Sequence, residues 1–425
     1  MRMFACFVCF VAAAKLAQSA DEFEQPPIEY SAATPDNRVQ RLQGALERGE
    51  VDLSSESNLN CLKLLLRELE VHASSQMLVF SKTSLQRQRI SPRTPRAIYF
   101  NDDVYIGYCH QGDEIEIAAA DAKLGAVFYS LELQTPDGPR LVRQTHRCLQ
   151  CHATTESIPI PGFLARSLFV SPSGVPILTE GTRRVDHATP IADRWGGWYV
   201  TGTHGEAPHL GNQVIRDRKA PRPWKNDQGH NVVDLSDRIP TDNYLEPTSD
   251  IVALMVFEHQ AHIHNLITQA NFAARQAFYY QAGMNKALGE PEEKMLESTS
   301  RRIASAGDRL LEGLLLADEA PISAAMEGTS QFAKEFQRLG PHDGQGRSLR
   351  DLDLQTRLFK HPCSYLIYSE AFDGLHPAMM QYVAQRLGEI LAGDVADFTH
   401  LSADDRQAIA DILRATKPEL WSAMQ

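Results

Sequence analysis

Residues 97–134, AIYFNDDVYIGYCHQGDEIEIAAADAKLGAVFYSLELQ, decide the fold of the central part of the chain. Four short runs rich in Ile, Val, Tyr and Phe are separated by NDD, HQGD and a Lys-Leu-Gly step, and TPDGP follows the last run. Such runs between turn residues are typical of antiparallel strands, so the stretch predicts a small antiparallel sheet. We expect its aromatic side chains to build a core rather than line a cofactor pocket: Tyr99, Tyr105, Tyr108, Phe128 and Tyr129.

The predicted sheet leads directly into RCLQCH, residues 147–152. In a C-x-x-C-H motif both thiols can bond to the vinyl groups of one haem, and the adjacent histidine is placed to bind the iron. A thioredoxin-like pair would follow a strand in a βαβ unit, and a zinc ribbon would need a second pair of cysteines beyond the N-terminal segment. Neither pattern is present, so the motif predicts one covalent haem c held by Cys148 and Cys151, with His152 as the proximal iron ligand.

The segment CLQCH resembles the attachment motif of c-type cytochromes, which implies the same roles for these three residues. The wider chain resembles a little-characterised group of large exported bacterial proteins that carry a single cytochrome c motif. The similar stretches are AIYFNDDVYIGY, LGAVFYSLE, RQTHRCLQCHA, RWGGWYVTGTHG, EHQAHIHN and LFKHPCSYLIYSEAFD. This resemblance implies an architecture and no particular reaction. In small cytochromes the motif lies near the start of a short domain, so their distal ligand is not transferred to this chain.

The N-terminus, MRMFACFVCFVAAAKLAQSADEF, predicts a secretory signal peptide. A basic residue and a short apolar run precede small residues suited to cleavage near Ser19 or Ala20. An uncleaved anchor is the alternative, although the run is short for a membrane span. Cys6 and Cys9 form a second CxxC in this segment, but Phe10 follows them where a histidine would be needed. We therefore expect an exported, periplasmic protein.

The formal net charge is −12, and it becomes −14 when Arg2 and Lys15 leave with the signal peptide. A surface this acidic argues against binding to nucleic acid or anionic membranes. It suits a basic redox partner protein, although an ordinary soluble surface is the commoner explanation for such a charge balance. No later stretch predicts a transmembrane segment. The remaining cysteines outside the motif are Cys61, Cys109 and Cys363, which allow at most one disulfide, so the protein is not a disulfide scaffold.

The chain as a whole predicts an α+β fold: a small antiparallel β-rich region leading into the haem attachment site, and then a mainly α-helical C-terminal domain. We expect five segments: a signal peptide at 1–20, a helical segment at 21–90, the β-rich haem region at 91–215, a polar linker at 216–248 and a helical domain at 249–425. Thr34, Ser249 and Ser402 are the predicted N-caps of helices, and Pro377 and Gly393 bound another.

Three regions compete for the second axial position of the iron. His204 and His209 lie in a glycine-rich loop, and His259 lies on a predicted helix on which Met255 and His262 share its face. Met379 and Met380 form the third region, although methionine at helical spacing is usually core filler. A histidine is the prediction, with His204 ahead of His259 and His209 the weaker candidate.

Arg194, Trp195 and Trp198 are predicted haem contacts, since arginine can pair with a propionate and tryptophan can cover the haem edge. Ordinary packing is the alternative for all three. The leading functional prediction is a periplasmic monohaem c-type cytochrome acting in electron transfer. The alternatives are a haem enzyme with an open distal site, acting on peroxide or another small molecule, and a haem-based gas sensor or scaffold.

Overall fold

The structure is a computed structural model that describes residues 22–136, 138–154, 159–220, 222–226 and 228–425. The predicted signal peptide, residues 1–20, lies outside the described residues. A six-stranded antiparallel sheet forms the centre of the fold, and its strands are neighbours in chain order. The strands are β1 (Met77–Val79), β2 (Arg96–Phe100), β3 (Val104–Cys109), β4 (Glu114–Asp121), β5 (Gly125–Glu132) and β6 (Arg140–Gln144). This confirms the predicted sheet and adds β1 and β6 at its edges.

The two faces of the sheet belong to different hydrophobic cores because successive side chains on a strand point to opposite sides. On one face Tyr99, Ile106 and Tyr129 pack in a core with the N-terminal helices. On the other face Tyr105 and Phe128 pack in a core with the C-terminal helices. Both faces are therefore covered, which explains why β3 is buried along its whole length instead of alternating.

Ten α-helices surround this sheet in the described part of the chain. They are α1 (Arg38–Glu47), α2 (Asn58–Glu68), α3 (Leu149–His152), α4 (Ile251–Leu288), α5 (Glu297–Leu314), α6 (Phe332–Arg338), α7 (Glu370–Asp373), α8 (Pro377–Ala392), α9 (Ala403–Thr416) and α10 (Pro418–Ala423). Two pairs of two-residue strands complete the structure: β7 (Arg166–Ser167) with β8 (Arg183–Arg184), and β9 (Gly202–Thr203) with β10 (Glu327–Gly328). The fold thus mixes helices with an antiparallel sheet and ends in a helical region, as predicted.

Helix α4 is the central element of the C-terminal region. From Ile251 to Thr268 every residue is buried except His262, which is half-buried. A helix that is buried on all sides lies within a core rather than on a surface. It packs against α5 along its length and places Phe257 beside the sheet. The chain after 249 and the sheet therefore share one core.

Two predicted helix starts are wrong, and two are confirmed. Helix α1 is capped by Asn37 rather than Thr34, since the Asn37 side chain accepts a hydrogen bond from the backbone N–H of Gln40. Helix α4 is capped by Asp250 rather than Ser249, whose hydroxyl instead donates to the carbonyl of Tyr199. Ser402 and Asp405 form the predicted capping box of α9. Pro377 and Gly393 bound α8 as expected.

The predicted linker, 216–248, contains one short 3-10 helix, Thr241–Asn243, among its described residues. This segment packs against the rest of the protein, because Leu235, Ile239 and Tyr244 are buried in the core that holds the N-terminal helices. All five cysteines in the described chain are free thiols, and Cys61, Cys109 and Cys363 are buried. None of the helices in the described residues combines the length and the apolar character needed to cross a bilayer.

Candidate functional site

A cavity of about 500 Å³ lies directly beside the CxxCH segment. One wall is the sheet face that carries Tyr105 and Phe128, and a second wall is the chain from Arg147 to His152. Phe257 of α4 and the loop at 82–87 complete it. Ligand pockets in proteins commonly have volumes of a few hundred to a thousand Å³ and mostly apolar walls with a few polar groups. The cavity has that size and that kind of wall.

The CxxCH segment forms a single helical turn. The backbone N–H groups of Cys151 and His152 both donate to the carbonyl of Cys148, at 3.1 and 3.0 Å. Cys148 is half-buried and Cys151 is exposed, and both line the cavity with His152. Burial raises the pKa of the Cys148 thiol to about 12. Both thiols and the imidazole therefore border one cavity, as attachment of a single macrocycle requires.

The orientation of the His152 ring is fixed by the backbone. Its Nδ1 lies 3.0 Å from the carbonyl oxygen of Gly162, and this oxygen can only accept, so Nδ1 carries the proton. The lone pair of the neutral ring then resides on Nε2, the tautomer that a metal-binding histidine uses. Burial lowers the pKa of His152, which keeps the ring neutral. The ring of Phe128 packs against it with a centroid separation of 4.7 Å.

The lining of the cavity is cationic although the chain is acidic. Four basic side chains line it against one carboxylate: Lys82, Arg87, Arg96 and Arg147 face Glu116. Arg96 is paired with Glu116 at 2.5 Å, and Arg147 is paired with Glu114 at 2.7 Å. Lys82 and Arg87 form no ion pair with any described residue. The positive charges of Lys82 and Arg87 are thus available to an anionic ligand.

The floor of the cavity is flat where Gly107 lies on β3. A Cβ atom at this position would come within 2.1 Å of the Arg96 guanidinium. Gly107 is paired with Ile98 on one side and with Glu116 on the other, so the three residues form one row across the sheet. The missing side chain lets Arg96 extend across the floor and reach Glu116. The residues of this cavity fit a flat, anionic macrocycle such as haem: attachment thiols, an oriented imidazole, aromatic walls and unpaired cations.

The histidines predicted as distal ligands lie in other clusters. His204 and His209 are buried together, with Nε2 to Nε2 at 3.2 Å and with His230 beside them. The backbone N–H of Gly211 donates to Nδ1 of His209 at 3.0 Å, so Nε2 of His209 carries its proton and donates to His204. Burial lowers the pKa of His209 to about 3. Neither residue lines the cavity beside His152.

His259 is also engaged elsewhere. Its Nδ1 lies 3.2 Å from Nδ1 of His187, and its Nε2 lies 2.8 Å from the hydroxyl of Ser364. It is fully buried and does not line the cavity. Met379 is buried in the core formed by the C-terminal helices, and Met380 packs against that core. The geometry gives these predicted distal ligands no support, and they stay predictions.

The three predicted haem contacts are placed in the core. Arg194 pairs with the buried Glu258 at 3.1 Å, and its guanidinium also donates to two backbone carbonyls. Trp195 is 1 % exposed and packs on His209. The indole N–H of Trp198 donates to the carbonyl of Arg166. None of the three lines the cavity, so the geometry favours the packing alternative.

Several cavity residues have no predicted role in a haem site. The sequence predicts no site role for Arg96, Gly107 or Glu116, and it predicts that Tyr105 and Phe128 build a core. The spacing of two between Tyr105 and Gly107 on β3 was the available signal, because it places both residues on one face of the sheet. The sequence does not say which face meets the CxxCH segment, since that depends on contacts between distant parts of the chain.

No group of three or more His, Cys, Asp or Glu side chains among the described residues is arranged to hold a metal ion. A haem iron needs only one or two protein ligands, so this finding concerns other metals. Comparison with known proteins adds nothing: no family model, no curated protein and no solved structure matches the chain.

Acid should destabilise the fold through His264, which is buried beside Tyr105 and Phe163. Burial lowers the pKa of His264 to about 4, whereas an unfolded chain titrates near the ordinary value of about 6.5. Its contribution is complete above pH 6.5 and is lost as the pH falls towards 4. Between pH 7.5 and pH 4.5 the free energy of unfolding of the wild type should fall by about 2 kcal/mol more than that of His264→Gln. Urea denaturation measures both free energies. An equal fall in the wild type and the variant would contradict the role of His264.

Proposed function

We propose that the protein is an exported monohaem c-type cytochrome that acts in electron transfer. One haem c is attached through Cys148 and Cys151, and His152 is its proximal iron ligand. The observation that carries this proposal is the cationic cavity of about 500 Å³ bordered by all three residues. Bound haem supplies a one-electron iron couple.

The chain's own residues have separate tasks in this proposal. The carbonyl of Gly162 orients the His152 ring by accepting its Nδ1 proton. Lys82 and Arg87, which have no carboxylate partner in the described chain, are suited to pair with the two haem propionates. Phe128 and Phe163 line the cavity as aromatic groups that exclude water from the macrocycle. Cys151 is exposed, so a haem attached through it would have that edge near solvent, where electron exchange with another protein is feasible.

The proposed periplasmic location and the proposed redox partner rest on features of the chain outside the cavity. Attachment of haem c takes place outside the cytoplasm of bacteria, which agrees with the secretory signal predicted in residues 1–20. The chain carries a net charge of −12 although the cavity lining is cationic, so the acidic groups lie elsewhere. Such a surface favours a basic redox partner protein through long-range attraction.

A second candidate is a haem protein with an open sixth coordination position. The observation that favours it is that His152 is the only histidine among the described residues that line the cavity, and that these residues include no methionine. Residues 155–158, outside the described chain, are Thr, Glu, Ser and Ile and supply neither type. Histidine and methionine are the usual partners of a closed six-coordinate haem c. An enzyme or a gas sensor would use such an open position.

The proposal is tested by producing the protein in a bacterium that exports it and matures c-type cytochromes. After denaturing electrophoresis we expect haem-dependent peroxidase staining at the mass of the chain, because thioether bonds survive denaturation. The reduced protein should show the absorption bands of a c-type haem. Exported protein without covalent haem, in cells whose other c-type cytochromes are loaded, would refute the proposal.

A further inference from the structure

Exposed apolar side chains are concentrated where α4 turns into α5. Five of the ten exposed large apolar side chains of the described chain lie between residues 279 and 295: Tyr279, Tyr280, Met284, Leu288 and Met295. Scattered apolar residues on a surface need no explanation, whereas a contiguous group marks an interaction site. Tyr280, Met284 and Leu288 are four residues apart, so they form one apolar stripe along α4. This end of the α4–α5 hairpin is therefore a candidate interaction surface.

Buried amides hold the turn of this hairpin in place. The side-chain N–H2 of Asn285 donates to the backbone carbonyls of Glu292 at 3.0 Å and Lys294 at 2.8 Å. The side-chain oxygen of Gln281 accepts a hydrogen bond from the backbone N–H of Leu296 at 3.0 Å. These bonds fasten the turn to the last part of α4. The apolar stripe is thus carried by a defined helical hairpin.

A groove between α4 and α5 borders the stripe and is cationic. Its two parts, of about 430 and 370 Å³, share Ala273 and Arg302. The Arg302 guanidinium lies 5.7 Å from the centroid of the Tyr280 ring, and Arg309 donates to the hydroxyl of Ser305 at 3.1 Å. Neither arginine forms an ion pair with a described residue, so both charges are available to an acidic partner. The charged residues that line the groove are three arginines and one glutamate: Arg301, Arg302, Arg309 and Glu22.

The turn at the end of the same hairpin is acidic. Glu290, Glu292 and Glu293 are exposed there. Glu290 is paired with Lys294 at 2.7 Å, whereas Glu292 and Glu293 form no ion pair with any described residue. One hairpin therefore presents unpaired positive charge in its groove and unpaired negative charge at its turn.

The two charged regions lie on either side of Tyr280. Ala273, which lines the groove with Arg309, and Leu288, next to the acidic turn, lie about 22 Å apart along α4, and Tyr280 is near the midpoint. A twofold axis at Tyr280 would place the acidic turn of each copy beside the arginines of the other copy. The two apolar stripes would cover each other between these contacts. Such self-complementarity is what a twofold dimer requires.

We propose that the protein forms a dimer through this surface, with the α4–α5 hairpins of two copies packed antiparallel. Glu292 and Glu293 of one copy pair with Arg302 and Arg309 of the second copy at each end. A membrane is the less suited occupant, because the acidic turn would be repelled by anionic lipids. Among the described residues, this surface and the cavity beside the CxxCH segment share none, so the dimer does not depend on haem.

The first test measures the mass of the exported protein by light scattering after size-exclusion chromatography. At micromolar concentration and low salt we expect twice the mass of one chain. High salt should shift the equilibrium towards the monomer, since salt screens the ion pairs at both ends. A protein that is monomeric at every concentration would overturn the proposal. Binding of that monomer to vesicles containing phosphatidylglycerol would assign the surface to a membrane instead.

The second test changes the apolar stripe. Met284→Glu should weaken the dimer about a hundredfold, because it brings two carboxylates into the apolar centre of the contact. Met284 is 53 % exposed, so the monomer should fold as before, which circular dichroism checks. The matched control is Leu178→Glu, which changes a leucine that is 75 % exposed outside the hairpin and should leave the dimer intact. Equal dimer affinities for Met284→Glu and the wild type would overturn the proposed contact.

The third test exchanges the charges at the two ends. Arg302→Glu with Arg309→Glu should be monomeric, and so should Glu292→Lys with Glu293→Lys, because each double variant brings like charges together at both ends. Mixing the two variants in equal amounts restores opposite charges at both ends, and we expect a heterodimer. A mixture that stays monomeric while the wild type is dimeric would overturn the antiparallel arrangement.

Discussion

The double variant Cys148→Ala with Cys151→Ala should lose all covalently bound haem. Among the described residues these are the only two cysteines that line the cavity, and the helical turn of residues 148–152 places them on one segment. Without either thiol no thioether bond can form, so haem-dependent staining after denaturing electrophoresis should disappear. Each single variant retains one attachment point and should keep part of the stain.

The matched controls are Cys61→Ala and Cys363→Ala, which remove thiols buried in the two hydrophobic cores. Both should retain a full haem content per chain. His152→Ala provides a further comparison, because covalent attachment should persist while the absorption spectrum changes. Undiminished staining in the double cysteine variant would show that the haem is attached elsewhere or that another protein carries it.

Trp195→Ala should destabilise the protein strongly without altering the haem site. Trp195 is among the largest fully buried side chains, and its backbone adopts φ of +67°, a left-handed conformation that the surrounding packing must hold. Removing a buried tryptophan leaves a cavity, and the expected cost is about 3–5 kcal/mol in the free energy of unfolding. Urea denaturation of the wild type and the variant measures this difference.

The haem spectrum separates the two roles considered for Trp195. If it packs in the core, the folded fraction of Trp195→Ala keeps the absorption bands of the wild type. A changed spectrum with unchanged stability would instead identify Trp195 as a haem contact. Trp224→Ala is the control, since this half-buried tryptophan stacks with Arg222 at 4.9 Å, and its loss should cost about 1 kcal/mol.

The strands and helices could be predicted from the sequence because their signals are local. The runs between 97 and 134 became β2 to β5, and the capping box at Ser402 became the start of α9. The predicted starts of α1 and α4 were wrong because several polar residues that could cap a helix follow one another there. Only the tertiary contacts decide which of them caps: the Ser249 hydroxyl is drawn to Tyr199, which leaves Asp250 to cap α4.

The candidate site likewise has one part that the sequence predicts and one part that only the tertiary contacts decide. Cys148, Cys151 and His152 are recognisable from the sequence, since the chemistry of attachment requires them within five residues of one another. The partners that face them come from β2 to β5 and from α4, more than a hundred residues apart along the chain. A glycine-rich loop made His204 a predicted iron ligand and helical spacing made His259 another, but the fold engages both rings in other histidine clusters.

The sequence by itself determined the CxxCH segment as a candidate site, the antiparallel sheet and the helical C-terminal region, because each depends on residues close together in the chain. Only the tertiary structure decided that Tyr105, Arg96 and Gly107 face the motif. The physical reason is that a strand presents alternate residues to two faces, and which face becomes a cavity wall depends on what packs there. In this protein the N-terminal helices cover one face, and α4 with the CxxCH turn encloses the other.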